Sequence, residues 1–419
     1  MKIYKPDRCR FNMLRIKCLV CSGDNLNEII NLGSHPFADT FIPISKISEP
    51  DIIYPLVCDL CSSCGHVQTR YQTDPMARYS QIDYSYTSAN SAFSRTHWDN
   101  YFKEVSQTTQ LQKEAFVVEI GSNDGYLTEH FLKEGYKTLG VDPSPHMAKL
   151  AKERGIKTIN SLFDEKISEI ILKEYGKPKL IIANNVFNHS DNPLEFIKSV
   201  AKILSSDGSF VFEQPYWFET IKSGKFDQIY HEHVSYFTVK SIVRLLSNAG
   251  MEICKAEIVD YHGGSLRIIA QKKESQPSSS PEVKHLIEEE EGFGMFDVNM
   301  YKKFMYKITR KRNEFLQRVC SLKQEGHSIV AVGAAAKANT FLNFYKLDNS
   351  FIDYVTDASP YKKRKFTPAT RIPIVGDEIF SNYDSVYALI LSWNIADQLK
   401  EKLSPINQKI KFIAPDEFN

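Results

Sequence analysis

Two histidines, a glutamate, two tyrosines and an aspartate fall within Phe226-Asp227-Gln228-Ile229-Tyr230-His231-Glu232-His233-Val234-Ser235-Tyr236-Phe237, and no amphipathic stripe runs through them. Titratable groups at that density, just after a strand-like apolar run, mark a site. Three readings stay open for His231-Glu232-His233. A zincin-type metal pair wants two histidines four apart on one helix face, whereas these are two apart. A hydrogen-bonded structural cluster is the second reading. The third is acid–base chemistry, in which one imidazole takes a proton and a neighbouring carboxylate or phenol orients it. Cysteine forms another constellation. Cys18-x-x-Cys21 and Cys61-x-x-Cys64 lie 39 residues apart, and two such knuckles place four thiolates at the corners of a tetrahedron, as a closed structural zinc site requires. Cys58 and Cys9 are further candidates. Cys61 and Cys64 are preferred because Gly65 follows directly and permits the left-handed turn of such knuckles. A four-cysteine zinc has no open coordination position, so it would supply folding energy rather than catalysis.

These groups need a scaffold, and the chain writes one twice. Phe116-Val117-Val118-Glu119-Ile120-Gly121-Ser122-Asn123-Asp124-Gly125-Tyr126-Leu127 reads as strand, glycine turn and helix, the first unit of a doubly wound sheet. The Gly-x-x-x-Gly spacing is not the Gly-x-Gly-x-x-Gly of a dinucleotide site. A second strand, Thr138-Leu139-Gly140-Val141, ends in Asp142, where a carboxylate can accept both hydroxyls of a ribose. Turn and acid together read as an adenosine site without a pyrophosphate. Leu180-Ile181-Ile182 is the fourth-strand candidate, which puts Asn184, Asn185 and His189 at the rim beyond the strand ends. Ser209-Phe210-Val211-Phe212-Glu213-Gln214-Pro215 is a further strand. Residues 79–91, rich in tyrosine and small hydroxyls, read as a loop that can fold over a pocket, with Tyr84 and Tyr86 as anchors. Residues 91–105 read as a helix.

Residues 272–281 form the clearest linker, and a new domain is expected after it. A charged helix over 300–324 leads to Ile329-Val330-Ala331-Val332-Gly333-Ala334-Ala335-Ala336-Lys337-Ala338-Asn339-Thr340, again strand, glycine turn and helix. Here a lysine sits in the first turn, where amides and an ammonium suit a phosphate. A second strand ends at Asp357. The tract Lys362-Lys363-Arg364-Lys365 is either a solvated face or a cover over a diphosphate. The order of elements suggests two related α/β domains facing each other across a cleft.

Composition bounds the function. The 419 residues are 42% hydrophobic and 25% charged, enough for two or three domains. Lys and Arg total 52 against 51 acids, so no global charge draws the chain to nucleic acid or an anionic membrane. No stretch approaches the roughly 20 apolar residues of a membrane span, and no signal-type block follows the first residues. A cytoplasmic protein, expected as a monomer, is the reading. Six of the eight cysteines fall within the first 64 residues, clustering that points to metal rather than disulfides.

The turn from Glu119 to Gly125 with Asp142 resembles the class I S-adenosylmethionine-dependent methyltransferases. That resemblance implies that Glu119, Gly121, Ser122, Asn123, Asp124 and Gly125 wrap the methionine half, that Asp142 holds the ribose, and that Asn184 and Asn185 complete the cofactor site. Over the whole chain, the order of paired Cys-x-x-Cys, Val118-Glu119-Ile120-Gly121-Ser122-Asn123-Asp124-Gly125, Ile229-Tyr230-His231-Glu232-His233-Val234-Ser235-Tyr236-Phe237, His262-Gly263-Gly264-Ser265-Leu266-Arg267 and Gly333-Ala334-Ala335-Ala336-Lys337 is similar to the sugar C-methyltransferases. Those enzymes act on nucleotide-linked 4-keto-deoxysugars, often at C3. The resemblance implies a zinc-binding domain with a lid loop over residues 1–85, a methyltransferase domain over 86–272 and a C-terminal Rossmann-like domain over 282–419. It implies catalytic roles for Tyr230, Glu232 and His233, with His233 the base, and places His189 and Tyr84 nearby. Lys337, Asn339, Thr340, Lys362 and Asn394 are the expected contacts of a nucleotide-diphosphate-linked keto-deoxysugar. The chain departs from the family pattern at Pro368-Ala369, where Pro-Gly is usual. An O-methyltransferase sharing the cofactor site and a non-enzymatic zinc-bearing scaffold are the alternatives.

Overall fold

Three sheets organise the chain in the computed structural model, which describes residues 14–74, 87, 89, 91–261, 263–275 and 280–413. The first is built from β1 (Leu26–Pro36), β3 (Ile53–Cys61) and β4 (Val67–Thr69), with the short β2 (Ile42–Pro43) leaving it at one side. β1 and β3 pair antiparallel, Leu26 opposite Cys61, and two irregularities bend β1. Ile30, Leu32, Leu56 and Leu60 fill its core.

The second sheet takes β5 (Phe116–Ile120), β6 (Lys137–Val141), β7 (Thr158–Ile159), β8 (Leu180–Ile182) and β9 (Ser209–Pro215), then β11 (Met251–Val259) and β12 (Ser265–Lys272). Its order is β7-β6-β5-β8-β9-β12-β11. β5 to β9 are parallel, and β12 lies antiparallel between β9 and β11. Strands buried on both faces read as unbroken apolar runs, and Leu180, Ile181 and Ile182 are fully buried. The order in which strands are added reverses between β5 and β8, so a crevice opens beyond their carboxyl ends. The helix expected over 91–105 forms as Ala92–Thr108, with the Ser91 hydroxyl accepting from Ser94 N.

One short strand breaks this modularity. β10 (Ser235–Tyr236), which follows the histidine-rich segment, pairs with β4 as the fourth strand of the first sheet, Ser235 opposite Gln68 and Tyr236 opposite Val67.

The third sheet is all parallel. It contains β13 (Ile329–Val332), β14 (Tyr354–Thr356), β16 (Ile374–Val375), β17 (Val386–Ile390) and β18 (Ile410–Ile413), in the order β16-β14-β13-β17-β18. β15 (Lys365–Phe366) instead pairs with β2 and ties this region to the first sheet. Ala369 has φ 59, a left-handed conformation natural to glycine.

The chain after the linker packs back on the first two sheets before it enters the third. The helix Pro281–Phe293 packs on β11 and on the helix Val239–Asn248, and the long helix Val298–Gln324 lies against β1. Glu290 explains the docking. Fully buried, it accepts hydrogen bonds from Tyr216 OH at 2.8 Å and from the backbone N–H of Val239 and Lys240, capping the helix Val239–Asn248. Burial pushes its carboxyl up to about 7. Trp217 Nε1 donates to Tyr301 OH at 2.9 Å and fastens the second helix. Buried polar anchors of this kind leave no trace in hydrophobic periodicity. Among the described residues, no helix is long and apolar enough to cross a membrane.

Candidate active site

The crevice at the end of β5 is shaped by backbone turns. Gly121 has φ +71, and a Cβ there would lie 2.4 Å from Val186 Cγ2, so only glycine keeps the wall close. Gly125, at φ +75, caps the helix Tyr126–Lys133. Asp142 accepts from Asn123 N at 3.0 Å with one oxygen and from Ser144 N at 2.9 Å with the other. Burial raises its carboxyl, and those two amides oppose the shift. Glu119, held by the Thr128 hydroxyl, is pushed up to about 8 by burial. Asp124 is buried, with Arg154 Nη2 at 3.4 Å. Asn184 Oδ1 accepts from Glu213 N at 2.8 Å, and Asn185 is held at φ 55. Ser122 Oγ and Asn185 Oδ1 are buried with no protein partner, polar atoms that a bound cofactor would satisfy. The amide-held carboxylate of Asp142 and these unsatisfied polar atoms fit a bound S-adenosylmethionine. Asp142→Ala should weaken its binding by about 1.5–3 kcal/mol through loss of a charged acceptor to the ribose. Calorimetry giving an unchanged Kd would place the adenosine elsewhere.

The histidine-rich segment packs against the turn beyond β8, where Val234 N donates to Asn188 O at 2.9 Å. His233 Nδ1 lies 3.0 Å from the Gln228 carbonyl oxygen, which can only accept, so Nδ1 carries the hydrogen. His233 Nε2 is therefore the basic nitrogen of the neutral ring, and Tyr230 OH donates to it at 2.6 Å. The His189 ring stands edge-on to His233, centroids 4.9 Å apart. Glu232 Oε1 accepts from Asp39 N of the first sheet's flank at 3.3 Å. His231 turns away, its Nε2 donating to Pro55 O at 3.4 Å while its ring packs edge-on to Phe37 and Tyr54. The two histidines thus divide the work, His231 against the N-terminal sheet and His233 against a phenol.

Residues that follow β13 and β17 of the third sheet meet the chain around Lys225 to Ile229. Lys337 Nζ lies 4.5 Å from the centroid of the Trp393 ring and donates to Asn394 Oδ1 at 3.4 Å. Burial lowers its ammonium to about 8, with Lys225 adding to the effect and Asp227 opposing it. Lys225 shares the Trp393 ring, and Trp393 Nε1 donates to Asp227 at 2.7 Å. Lys362 Nζ donates to Ala334 O at 2.7 Å beside Asp357. Asn339 Nδ2 donates to Ala38 O and Thr340 Oγ1 to Ile229 O at 3.0 Å. These last two side chains clamp the helix Ala336–Tyr345 to the first sheet's flank and to the histidine-rich segment.

The four expected cysteines converge, every Sγ within 4.8 Å of the others. Cys18 to Cys64 and Cys21 to Cys61 are both 3.6 Å apart, close to the ~3.8 Å edge of a tetrahedron with 2.3 Å Zn–S bonds. Gly65 has φ +73 as the knuckle turn requires. Cys58 stays outside this set on β3, where burial raises its thiol. Tyr84, Tyr86, Cys9 and His262 lie outside the described residues.

Sequence reasoning missed one buried network at the crevice. Glu213, with no exposed surface, accepts from His97 Nε2 at 2.8 Å and from Arg267 Nε at 2.5 Å. Arg267 also reaches Glu104 and Glu257, and His97 stacks on Tyr261 with centroids 3.8 Å apart. The available signal was a charged residue directly after the apolar Phe210-Val211-Phe212 of β9. Asp39 and Trp393 gave no signal, because distant segments bring them in.

The glycine turn, the acid-tipped second strand and the seven-stranded order with one antiparallel strand define a class I S-adenosylmethionine-dependent methyltransferase. Comparison with known proteins extends this to the whole chain. Residues 18–79 match the family model described as "Putative zinc binding domain", residues 94–256 match "Methyltransferase domain", and residues 260–415 match "C-methyltransferase C-terminal domain". The C-methyltransferase NovU of Streptomyces niveus is 28% identical over 383 residues, covering 91% of each chain. Among solved structures, an S-adenosylmethionine-dependent methyltransferase from Clostridium acetobutylicum ATCC 824 is 16% identical with a TM-score of 0.35, covering 44% of this chain and 93% of that one. A zinc-binding, a methyltransferase and a C-methyltransferase C-terminal match thus follow one another along the chain, and with the relative they support an S-adenosylmethionine-dependent C-methyltransferase.

Proposed function

We propose that the chain methylates the carbon beside the ketone, C3, of a nucleotide-diphosphate-linked 4-keto-6-deoxysugar. The observation that carries this reading is the Tyr230–His233 pair, in which a carbonyl fixes the imidazole tautomer and leaves Nε2 as the base. A carbon next to a ketone is acidic only because its anion spreads onto the carbonyl oxygen. The chain must therefore offer a base at carbon and a donor at oxygen. His233 Nε2 takes the proton. The Tyr230 hydroxyl, released from Nε2 as the substrate enters, donates to the enolate oxygen. His189 stands against His233 and keeps the ring upright, while Glu232, held by Asp39 N, fixes the loop. S-adenosylmethionine, when bound, supplies an electrophilic methyl group. The protein's remaining task is to hold carbon and methyl in line. Incubation with S-adenosylmethionine and a panel of nucleotide-linked 4-keto-6-deoxysugars, with carbon connectivity of the product read by NMR, tests this. Deuterium at the reacting carbon should wash into solvent or slow the reaction. A product methylated on oxygen would replace this reading with the O-methyltransferase one.

The diphosphate is proposed to lie at the turn before Lys337, with Lys362, Asn394, Asn339 and Thr340 bordering the sugar nucleotide. Lys337→Ala should raise the sugar nucleotide's KM about tenfold or more, with little change in cofactor affinity and a smaller effect on kcat, the pattern for lost uniform binding. Because the ammonium is lowered to about 8, wild-type KM should climb as pH rises past that value and the cation is lost. The alanine variant should lack that rise. A normal KM in the variant would move the diphosphate away.

A further inference from the structure

The turn between β11 and β12 leaves room for one side chain from the third sheet. Gly263 has φ +82, and a Cβ there would lie 2.6 Å from both Lys225 Nζ and the Trp393 ring, so the close approach needs glycine. Trp393 belongs to the single turn Trp393–Ile395 that follows β17. The ammonium groups of Lys225 and Lys337 lie 4.4 and 4.5 Å from the centroid of its ring, and Lys225 Nζ also donates to Gly263 O at 3.0 Å. Two cations and a glycine backbone thus seat the indole.

The indole N–H points into the histidine-rich segment. Nε1 donates to Asp227 Oδ2 at 2.7 Å, a hydrogen bond to a carboxylate that is itself buried. Asp227 is the middle residue of the single turn Phe226–Gln228, which Ile229 N closes by donating to Phe226 O at 3.0 Å. The last residue of that turn, Gln228, is buried and offers the carbonyl that accepts the Nδ1 hydrogen of His233 at 3.0 Å. Two hydrogen bonds made by adjacent residues therefore connect the indole of the third sheet to the imidazole. A histidine tautomer is set by the bond its other nitrogen makes, so whatever holds that carbonyl in place also decides which nitrogen is basic.

We propose that Trp393 is a positioning residue for the base: through Asp227 it holds the Gln228 carbonyl on His233 Nδ1 and so keeps Nε2 free of a proton in the neutral ring. The inference rests on His233 being the base and deepens that reading. It gives the third sheet a part in proton abstraction besides its part in binding.

The full, zinc-loaded chain, saturated with S-adenosylhomocysteine and carrying imidazole-15N-labelled histidine, tests this by NMR, because the ring is then read without a substrate. Wild-type protein should show an Nδ1–H resonance that His233→Asn lacks. Trp393→Phe keeps an aromatic ring beside the two lysines and loses the indole N–H; it should exchange that proton with solvent roughly tenfold or more faster, as for one lost hydrogen bond to a charged group. Asp227→Ala should do the same, and the double variant should be no worse than either single one. Asp227→Asn still offers an acceptor oxygen and should restore slow exchange. In turnover, Trp393→Phe should lower kcat roughly tenfold while the sugar nucleotide's KM stays within about twofold of wild type, a split that a general loss of structure would not produce. A wild-type exchange rate in Trp393→Phe, effects that add in the double variant, or an unaltered kcat beside faster exchange would overturn the assignment. Wild-type protein that methylates none of the 4-keto sugar nucleotides would overturn the sugar-nucleotide reading alone, since the exchange measurement still decides whether Trp393 holds the ring.

Discussion

The His233→Asn protein is expected to lose methyl transfer by roughly 10²–10⁴-fold in kcat, while both ligands bind with nearly wild-type affinity. The asymmetry follows from geometry. His233 is buried behind Tyr230, with its Nδ1 committed to the Gln228 carbonyl, so it contributes a proton-accepting nitrogen more than a binding contact. Removing a base takes away help that exists only in the transition state. Tyr230→Phe should be milder, because the imidazole keeps its tautomer and loses only a hydroxyl. Single-turnover methylation, together with deuterium washout from the carbon beside the ketone, separates the two steps. Washout that persists in His233→Asn would transfer the base to His189 or a tyrosine.

The second large effect concerns zinc. Cys61→Ser is expected to carry no zinc by elemental analysis, where the wild type carries one ion per chain, and to lose thermal stability and methyl transfer together. A structural zinc contributes folding free energy on the order of 10 kcal/mol, and here the energy is spent close to the chemistry. Cys61 ends β3, β3 pairs with β4, and β4 pairs with β10 directly after His233. Thr69 N also donates to Val234 O at 2.9 Å, and Thr238 Oγ1 to Gly65 O at 3.4 Å. Loosening the knuckle thus loosens the loop bearing the base. The cofactor crevice rests on the second sheet and should outlast the metal, so affinity for S-adenosylhomocysteine should fall far less than turnover. A zinc-free variant with full turnover would refute the coupling.

Much of the scaffold was legible in the sequence because it is written in local terms. An apolar run ending at Gly121 or Gly333 is a strand entering a turn, and an acid at Asp142 closes the next strand, whatever the rest of the chain does. The two Cys-x-x-Cys pairs were equally local, and the choice of Cys61 over Cys58 followed from one glycine. What escaped depends on partners far away in sequence. Nothing within Ser235-Tyr236 says that this strand deserts its own sheet, and nothing in Pro281–Phe293 says that Glu290 will cap a helix that starts 51 residues upstream. His97, Glu213 and Arg267 look like three unrelated charges until β9 and β12 pair and the helix Ala92–Thr108 folds over them. In the histidine-rich segment, composition marked the place, while the division between His231 and His233 was settled by which carbonyl each ring found.

The desertion of β10 to the first sheet also sets a folding order. The pairing of Tyr236 with Val67 joins positions far apart in the chain, and such contacts carry a loop-closure cost that delays them. The parallel core around β5 and β8 can form from nearby segments, whereas the loop bearing His233 must wait for both sheets to exist. During synthesis the N-terminal sheet emerges first and presents β4 as an unfilled edge, a template that only the later segment completes. A partly folded chain would then gather its cofactor while lacking a seated base, and reactivity would be the last property to mature.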